Sequence, residues 1–136
     1  MLKESQDASK ENIELCLPVN AAYVSAARLT ASSIANRLGF EIDEIEDIKA
    51  AVSEACTFII KKTGQNDRSM FKIVFEMQDN VILIKLSSPH SVDFEKMEEE
   101  MSLLMIKALT DSMNATNEPD GFLIEIKKIH KKISFE

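Results

Sequence analysis

The residues able to do acid–base, nucleophilic or metal chemistry are few and scattered. His90 and His130 stand alone, with no cysteine or second histidine at ligand spacing, so no zinc or iron site is expected. Ser53 and Thr57 carry hydroxyls but lack a His–Asp partner that would make either a nucleophile. Cys16 and Cys56 are too few for a disulfide framework and read as small buried apolar side chains. One dense run remains, Ser53-Glu54-Ala55-Cys56-Thr57-Phe58. There a carboxylate and a phenyl ring are four residues apart, which in a helix places them on one face. The chain has three glycines, Gly39, Gly64 and Gly121, so no glycine lies between residues 64 and 121 to let backbone close around a phosphate.

The elements that must position this run follow from periodicity. Residues 1–11 are polar and read as a disordered tail, leaving 12–136 as a single domain. Ile13, Leu15 and Leu17 alternate, which predicts a half-buried strand ended by Pro18. Asn20 caps a helix to about Leu38, with Val24, Ala27, Ala31, Ile34 and Leu38 inward, a dense set of small residues, and Gly39 as its stop. A second helix runs from Glu41 to about Lys62, with Ile45, Ile48, Val52, Ala55 and Ile59 as its stripe and acids at its positive end. Thr63 to Asp67 is a loop. Met70–Met77 and Val81–Leu86 form a hairpin about Asp79-Asn80, ended by Pro89. Val92 to about Asn114 is helical in part, with Met101, Leu104, Met105, Ala108 and Leu109 on the buried side. Asn117 to Gly121 is a turn. A last strand runs from Phe122 to about Lys132, with Phe122, Ile124, Ile126 and Ile129 inward. This order predicts an α+β two-layer sandwich, a mostly antiparallel sheet with about three helices on one face.

Composition narrows the class. Of 136 residues, 45% are hydrophobic and 29% charged, ordinary for a globular domain with a real core. No apolar run is long enough for a membrane span and the first residues are polar, so a reducing cytoplasmic location is expected. A net charge of −7 argues against nucleic acid, whose phosphates would repel the surface.

Leu17-Pro18, Tyr23-Val24, Ala27-Arg28-Leu29-Thr30, Asp43-Glu44-Ile45-Glu46-Asp47-Ile48-Lys49 and Ala51-Val52-Ser53-Glu54-Ala55-Cys56-Thr57 carry a resemblance. Over these roughly fifty residues the chain resembles the anti-sigma factor serine kinases of bacterial partner-switching systems, which use the histidine-kinase-like ATPase, or Bergerat, fold. The resemblance implies ATP and Mg²⁺ as cofactors, and a sigma factor or an anti-sigma-factor antagonist as partner, with a homodimer compatible with the family. It implies that Glu54 stands where the family has its activating Glu. It also implies that Arg28 lies on the partner-binding surface; the other reading of Arg28 is a solvent-facing side chain.

The sequence departs from that family at three places. Phe58 occupies the position of the Asn that helps hold Mg²⁺, and a phenyl ring offers no oxygen lone pair. At about 100° per residue Phe58 stands roughly 90° off the apolar stripe, toward the nucleotide flank, where it would plug a pocket or form an apolar patch. Ser87-Ser88-Pro89-His90-Ser91 stands in place of an Asp-x-Gly-x-Gly segment, and Pro89 lacks a backbone donor. Glu98-Glu99-Glu100 stands where a Gly-x-Gly turn would cup phosphates, and like charges 4 Å apart cost about 4 kcal/mol per pair at an effective dielectric of about 20. These departures argue against an ATP site, and no cofactor or metal ligand is assigned. Glu54 reads as a vestigial general base, structural rather than catalytic. The expected function is protein binding by an anti-sigma-like regulator. The alternatives are an active serine/threonine kinase that phosphorylates an antagonist, and a homodimeric scaffold using an apolar patch around Phe58. The charged end of the last strand, Lys127, Lys128, Lys131 and Lys132, reads as a protected sheet edge.

Overall fold

The computed structural model describes residues 10–64, 68–92 and 100–131. Strand β1 (Lys10–Pro18) leads through a short 3₁₀ turn (Ala21–Tyr23) into α1 (Val24–Arg37) and α2 (Ile42–Thr63). The hairpin β2 (Met70–Gln78) and β3 (Val81–Ser88) follows, then α3 (Met101–Leu109), β4 (Ser112–Glu118) and β5 (Gly121–Ile129). The five strands form one antiparallel sheet in the order β1-β2-β3-β5-β4. This is the α+β two-layer sandwich that the hydrophobic pattern predicts.

The core lies between one sheet face and the helices. Phe71, Ile73 and Phe75 of β2, Ile82, Ile84 and Leu86 of β3, and Phe122, Ile124 and Ile126 of β5 alternate inward. They meet Ile48, Val52, Ala55 and Ile59 of α2, the central helix of the layer, which packs against α1 on one flank and α3 on the other. Alanines 27, 31 and 35 on α1 and 51 and 55 on α2 are fully buried, so small side chains let the two helices approach closely. Asn20 caps the 3₁₀ turn by accepting from Ala22 N–H at 2.9 Å. At the end of α1, Gly39 (φ 87°) and Phe40 donate to Asn36 and Ala35 carbonyls, a Schellman stop that needs a left-handed residue.

Several boundaries differ from the pattern. β1 begins at Lys10, so Lys10 and Glu11 pair with β2 rather than belonging to a tail, while residues 1–9, 65–67, 93–99 and 132–136 lie outside the described residues. The sheet has a fifth strand, β4, in a stretch divided at sequence level between helix and turn. Its sequence, Ser112-Met113-Asn114-Ala115-Thr116-Asn117-Glu118, is a polar edge strand in which only Met113 and Ala115 pack on the core, so its alternation is faint. With β4 outside it, β5 is interior, which overturns the reading of its lysines as a protected edge. Strand parity also places Lys128, not Ile129, inward after Ile126. Cys16 is exposed rather than buried. Cys56 is buried in the core, which pushes its thiol up to about 12 and keeps it neutral.

The largest reversal is in α3. Leu103 and Ile106 face the core, whereas Met101, Leu104, Met105 and Ala108, expected inward, are exposed. The helix carries apolar residues on two opposite sides, and periodicity alone could not choose between them.

Candidate functional site

The run that opens the sequence reading lies in the C-terminal half of α2. Glu54 is half-buried, one turn before Phe58. Phe58 is 0% exposed, and its ring packs on Phe122 of β5 at 5.6 Å between centroids, tilted by 41°. Lys62, one further turn on, holds its ammonium 5.5 Å from the Phe58 centroid and donates to Glu100 at 2.9 Å. A phenyl face attracts a cation, so the ring and Glu100 hold Lys62 together. The hydrogen bond from Lys62, helped by the charges of Lys62 and Lys61, keeps the Glu100 carboxyl below its usual value. Glu100 caps the start of α3, so the pair ties α3 to the end of α2. Of the two readings of Phe58, its burial agrees with a packed ring rather than an exposed apolar patch.

The end of β3 is closed by its own backbone. Ser88 is buried and accepts from His90 N–H at 3.3 Å. Gly121, at the start of β5, has φ 149°, and a Cβ there would lie 1.9 Å from the Ser88 carbonyl oxygen. Only glycine permits this approach, so the β4–β5 turn presses on Ser88-Pro89. Of the acidic run, Glu98 and Glu99 lie outside the described residues, and Glu100 faces Lys62. Among the described residues no group of three or more His, Cys, Asp or Glu side chains gathers as a metal site.

Arg28 is on a different helix. It is exposed on α1, in a stretch that also exposes Tyr23 (46%) and Leu29 (69%). The structure therefore separates the two sets of expected site residues, Glu54 and Phe58 on the C-terminal half of α2 and Arg28 on the exposed side of α1.

Sequence reasoning missed the partners that fix α2 at its other end. Glu44 accepts from Glu41 N–H (2.8 Å), Lys131 N–H (2.9 Å) and His130 Nδ1 (2.8 Å). His130 is buried and its ring lies 5.2 Å from Phe40. Lys128, also buried, donates to the Leu109 carbonyl (2.8 Å) and to Asp47 (3.3 Å). Burial pushes the Glu44 carboxyl up, but the bonds from Lys131, Glu41 and His130 together outweigh it and hold the group below its usual value. Lone histidines give no such signal in sequence; Glu44 and His130 are 86 residues apart.

A family model described as histidine kinase-like ATPase domain matches residues 17–128. The chain belongs to that family. The chain is 39% identical over 92 residues to the serine-protein kinase RsbW of Bacillus thuringiensis (strain Al Hakam), covering 67% of this chain and 58% of that protein. It is 41% identical over 85 residues to RsbW of Bacillus anthracis (strain CDC 684 / NRRL 3495), covering 62% and 52%. The matched region thus spans about half the length of these relatives. Among solved structures, the RsbU and RsbW domains of a Mycobacterium tuberculosis protein superpose with a TM-score of 0.73 at 13% identity, covering 93% of this chain and 34% of that one. The SiaB–SiaC complex from Pseudomonas aeruginosa gives 0.65 at 10% identity, covering 94% of both chains. At such identities these likenesses speak for the fold, and they bear out the histidine-kinase-like architecture that the α1–α2 residues imply. No helix among the described residues is long and apolar enough to cross a membrane.

Proposed function

We propose that this histidine-kinase-like domain regulates by binding a protein, a sigma factor or an anti-sigma-factor antagonist, and that its nucleotide flank no longer takes Mg-ATP. The observation that carries this reading is Phe58. It stands at the family's metal-holding position, supplies no lone pair, and is wholly buried against Phe122 under Lys62. Two further features support it. Pro89 offers no N–H, and the Ser88 carbonyl is occupied by the close approach of Gly121, where the family's glycines would leave room for a nucleotide. The residues present do not fit the cofactor, so Glu54 has no metal-bound phosphate to work on and keeps a structural place on α2.

Partner binding falls to α1. Arg28 offers a planar cation between the exposed Tyr23 and Leu29, a mix of charge and apolar area suited to a protein surface. The RsbW relatives are named as serine-protein kinases, and the SiaB structure is a complex with SiaC, which favours a protein as partner.

Calorimetric titration with Mg-ATP tests the first half, and no heat of micromolar binding is expected. Binding at micromolar affinity, or phosphate transfer from labelled ATP to an antagonist that Glu54→Ala abolishes, would favour the active-kinase reading instead. For the second half, Arg28→Glu is expected to weaken capture of the cognate sigma factor or antagonist about tenfold or more, with the melting midpoint unchanged.

A further inference from the structure

The chain leaves the sheet on one side of β5 and is fastened again on the other. In the ladder, Phe122 of β5 stands between Ser88 of β3 and Asn117 of β4. β3 ends at Ser88, and Val92, four residues on, is bound to Asn117. Pro89, His90 and Ser91 therefore cross the end of β5. Two ladder spacings make about 10 Å, within reach of four residues at about 3.3 Å each. Gly121 lies beneath the crossing: a Cβ there would stand 1.9 Å from the Ser88 carbonyl oxygen and 2.9 Å from the Pro89 carbonyl carbon. Glycine lets the two backbones pass.

The far end is held by both halves of one amide. Asn117 Oδ1 accepts from Val92 N–H at 2.8 Å, and Asn117 Nδ2 donates to the Val92 carbonyl at 2.7 Å. A carboxamide carries an acceptor and a donor in the spacing of a peptide group, so it serves both backbone groups of Val92 as a neighbouring strand would. At the near end, Ser88 is buried and its hydroxyl accepts from His90 N–H. Strand parity puts Asn117 on the same side as Met113 and Ala115, which pack on the core, as does the half-buried Val92. The crossing thus runs on the side of the sheet that holds Phe122 and Phe58. Asn117 itself is exposed, on the outermost strand, so its two bonds are open to competition from water.

From this we infer that residues 89–92 are a strap closing the end of β5 over Phe122, and that Asn117 is the buckle that keeps it closed. Releasing the buckle lets water reach the Phe122 ring without opening the rest of the core. The strap stands on the ladder and these bonds, whichever way the nucleotide flank is read.

Amide exchange and fluorine NMR of the full chain, labelled with fluorophenylalanine, test it. Asn117→Ala is expected to speed exchange of the Val92 amide about tenfold or more, while the amides of Ile124 and Ile126 keep their rates. The Phe122 fluorine signal, assigned with Phe122→Leu, should gain a solvent isotope shift between H₂O and D₂O, because water then touches a ring that is 1% exposed in the closed protein. Asn114→Ala, at an exposed position of the same strand, is expected to change none of these. Asn117→Thr repeats the test should Asn117→Ala fail to fold, as read by circular dichroism, since a hydroxyl cannot make both bonds in the spacing of an amide. A Val92 amide as slow in these variants as in the parent overturns the proposal. So does a fast Val92 amide with no isotope shift at Phe122, or exchange that rises equally at Val92, Ile124 and Ile126.

Discussion

The two ends of α2 are fixed to β5 and the two residues that follow it by opposite means. At its start Glu44 and Asp47, two carboxylates, accept directional hydrogen bonds from His130, the Lys131 backbone and Lys128. Fourteen residues past Glu44, Phe58 presses on Phe122 with no polar atom in either ring, and Lys62, held by Glu100, lies over its face. One end holds by pairing, so it depends on pH. The other holds by excluding water, so it depends on shape. On the proposed reading, the second occupies the nucleotide flank, and the burial of Phe58 against Phe122 makes that flank part of the core.

The contrast breaks most visibly at Phe58. Phe58→Ala removes a fully buried ring and leaves a cavity between α2 and β5, with an expected loss of about 3–4 kcal/mol in urea unfolding. Phe58→Asn should cost at least as much, because it adds a buried amide with no assigned partner. Even so, it is expected to gain no Mg-ATP binding in the calorimeter, because Pro89 and the Ser88–Gly121 contact are unchanged. An Asn variant that binds Mg-ATP would show that one ring alone closes the site.

At the polar end the smaller, pH-dependent effect is expected. Glu44 is 13% exposed and accepts three bonds, so Glu44→Gln should cost about 1–2 kcal/mol at pH 7. The folded carboxyl titrates below its unfolded value of 4.5. Its contribution is therefore fully present above about pH 4.5 and is lost as pH falls through the folded value. Unfolding curves of the two proteins should converge as pH falls through the folded value, while the Phe58→Ala loss persists there. A Glu44→Gln difference that stays constant from pH 7 through the whole acid range would mean that the carboxylate is held by shape rather than charge.

The two ends were not equally legible in the sequence. Phe58 stood out because its neighbours, Ser53 to Thr57, match a known helix around it, and a missing lone pair can be read from residue type alone. The strands were legible where inward residues alternate with polar ones, as in Met70–Gln78. β4 was not, since an edge strand with two core contacts needs little apolar signal. The polar end was hidden by distance: 86 residues separate Glu44 from His130 and 81 separate Asp47 from Lys128, and neither residue type predicts its partner. Ile129 drew the inward assignment because it is apolar, yet parity puts Lys128 inside, and that becomes favourable once Asp47 and the Leu109 carbonyl receive its ammonium. The face of α3 was misread because both of its sides are apolar, and burial by the rest of the chain, not periodicity, selects one.

The smallest expected effect sharpens where the apolar end stops. Lys62 touches both kinds of interaction, the Phe58 ring and the Glu100 carboxylate, and its side chain is 27% exposed. Lys62→Met keeps the aliphatic stem on the ring and removes only the charge. If shape governs this end, the melting midpoint should move by about 2 °C or less, and wild type and variant should respond alike to added salt. If the ammonium is what secures α3, the midpoint should fall further at low ionic strength, and about 1 M salt, which shortens the screening length to about 3 Å, should erase much of the difference. The packing of Phe58 on Phe122, already complete without Lys62, favours the first outcome.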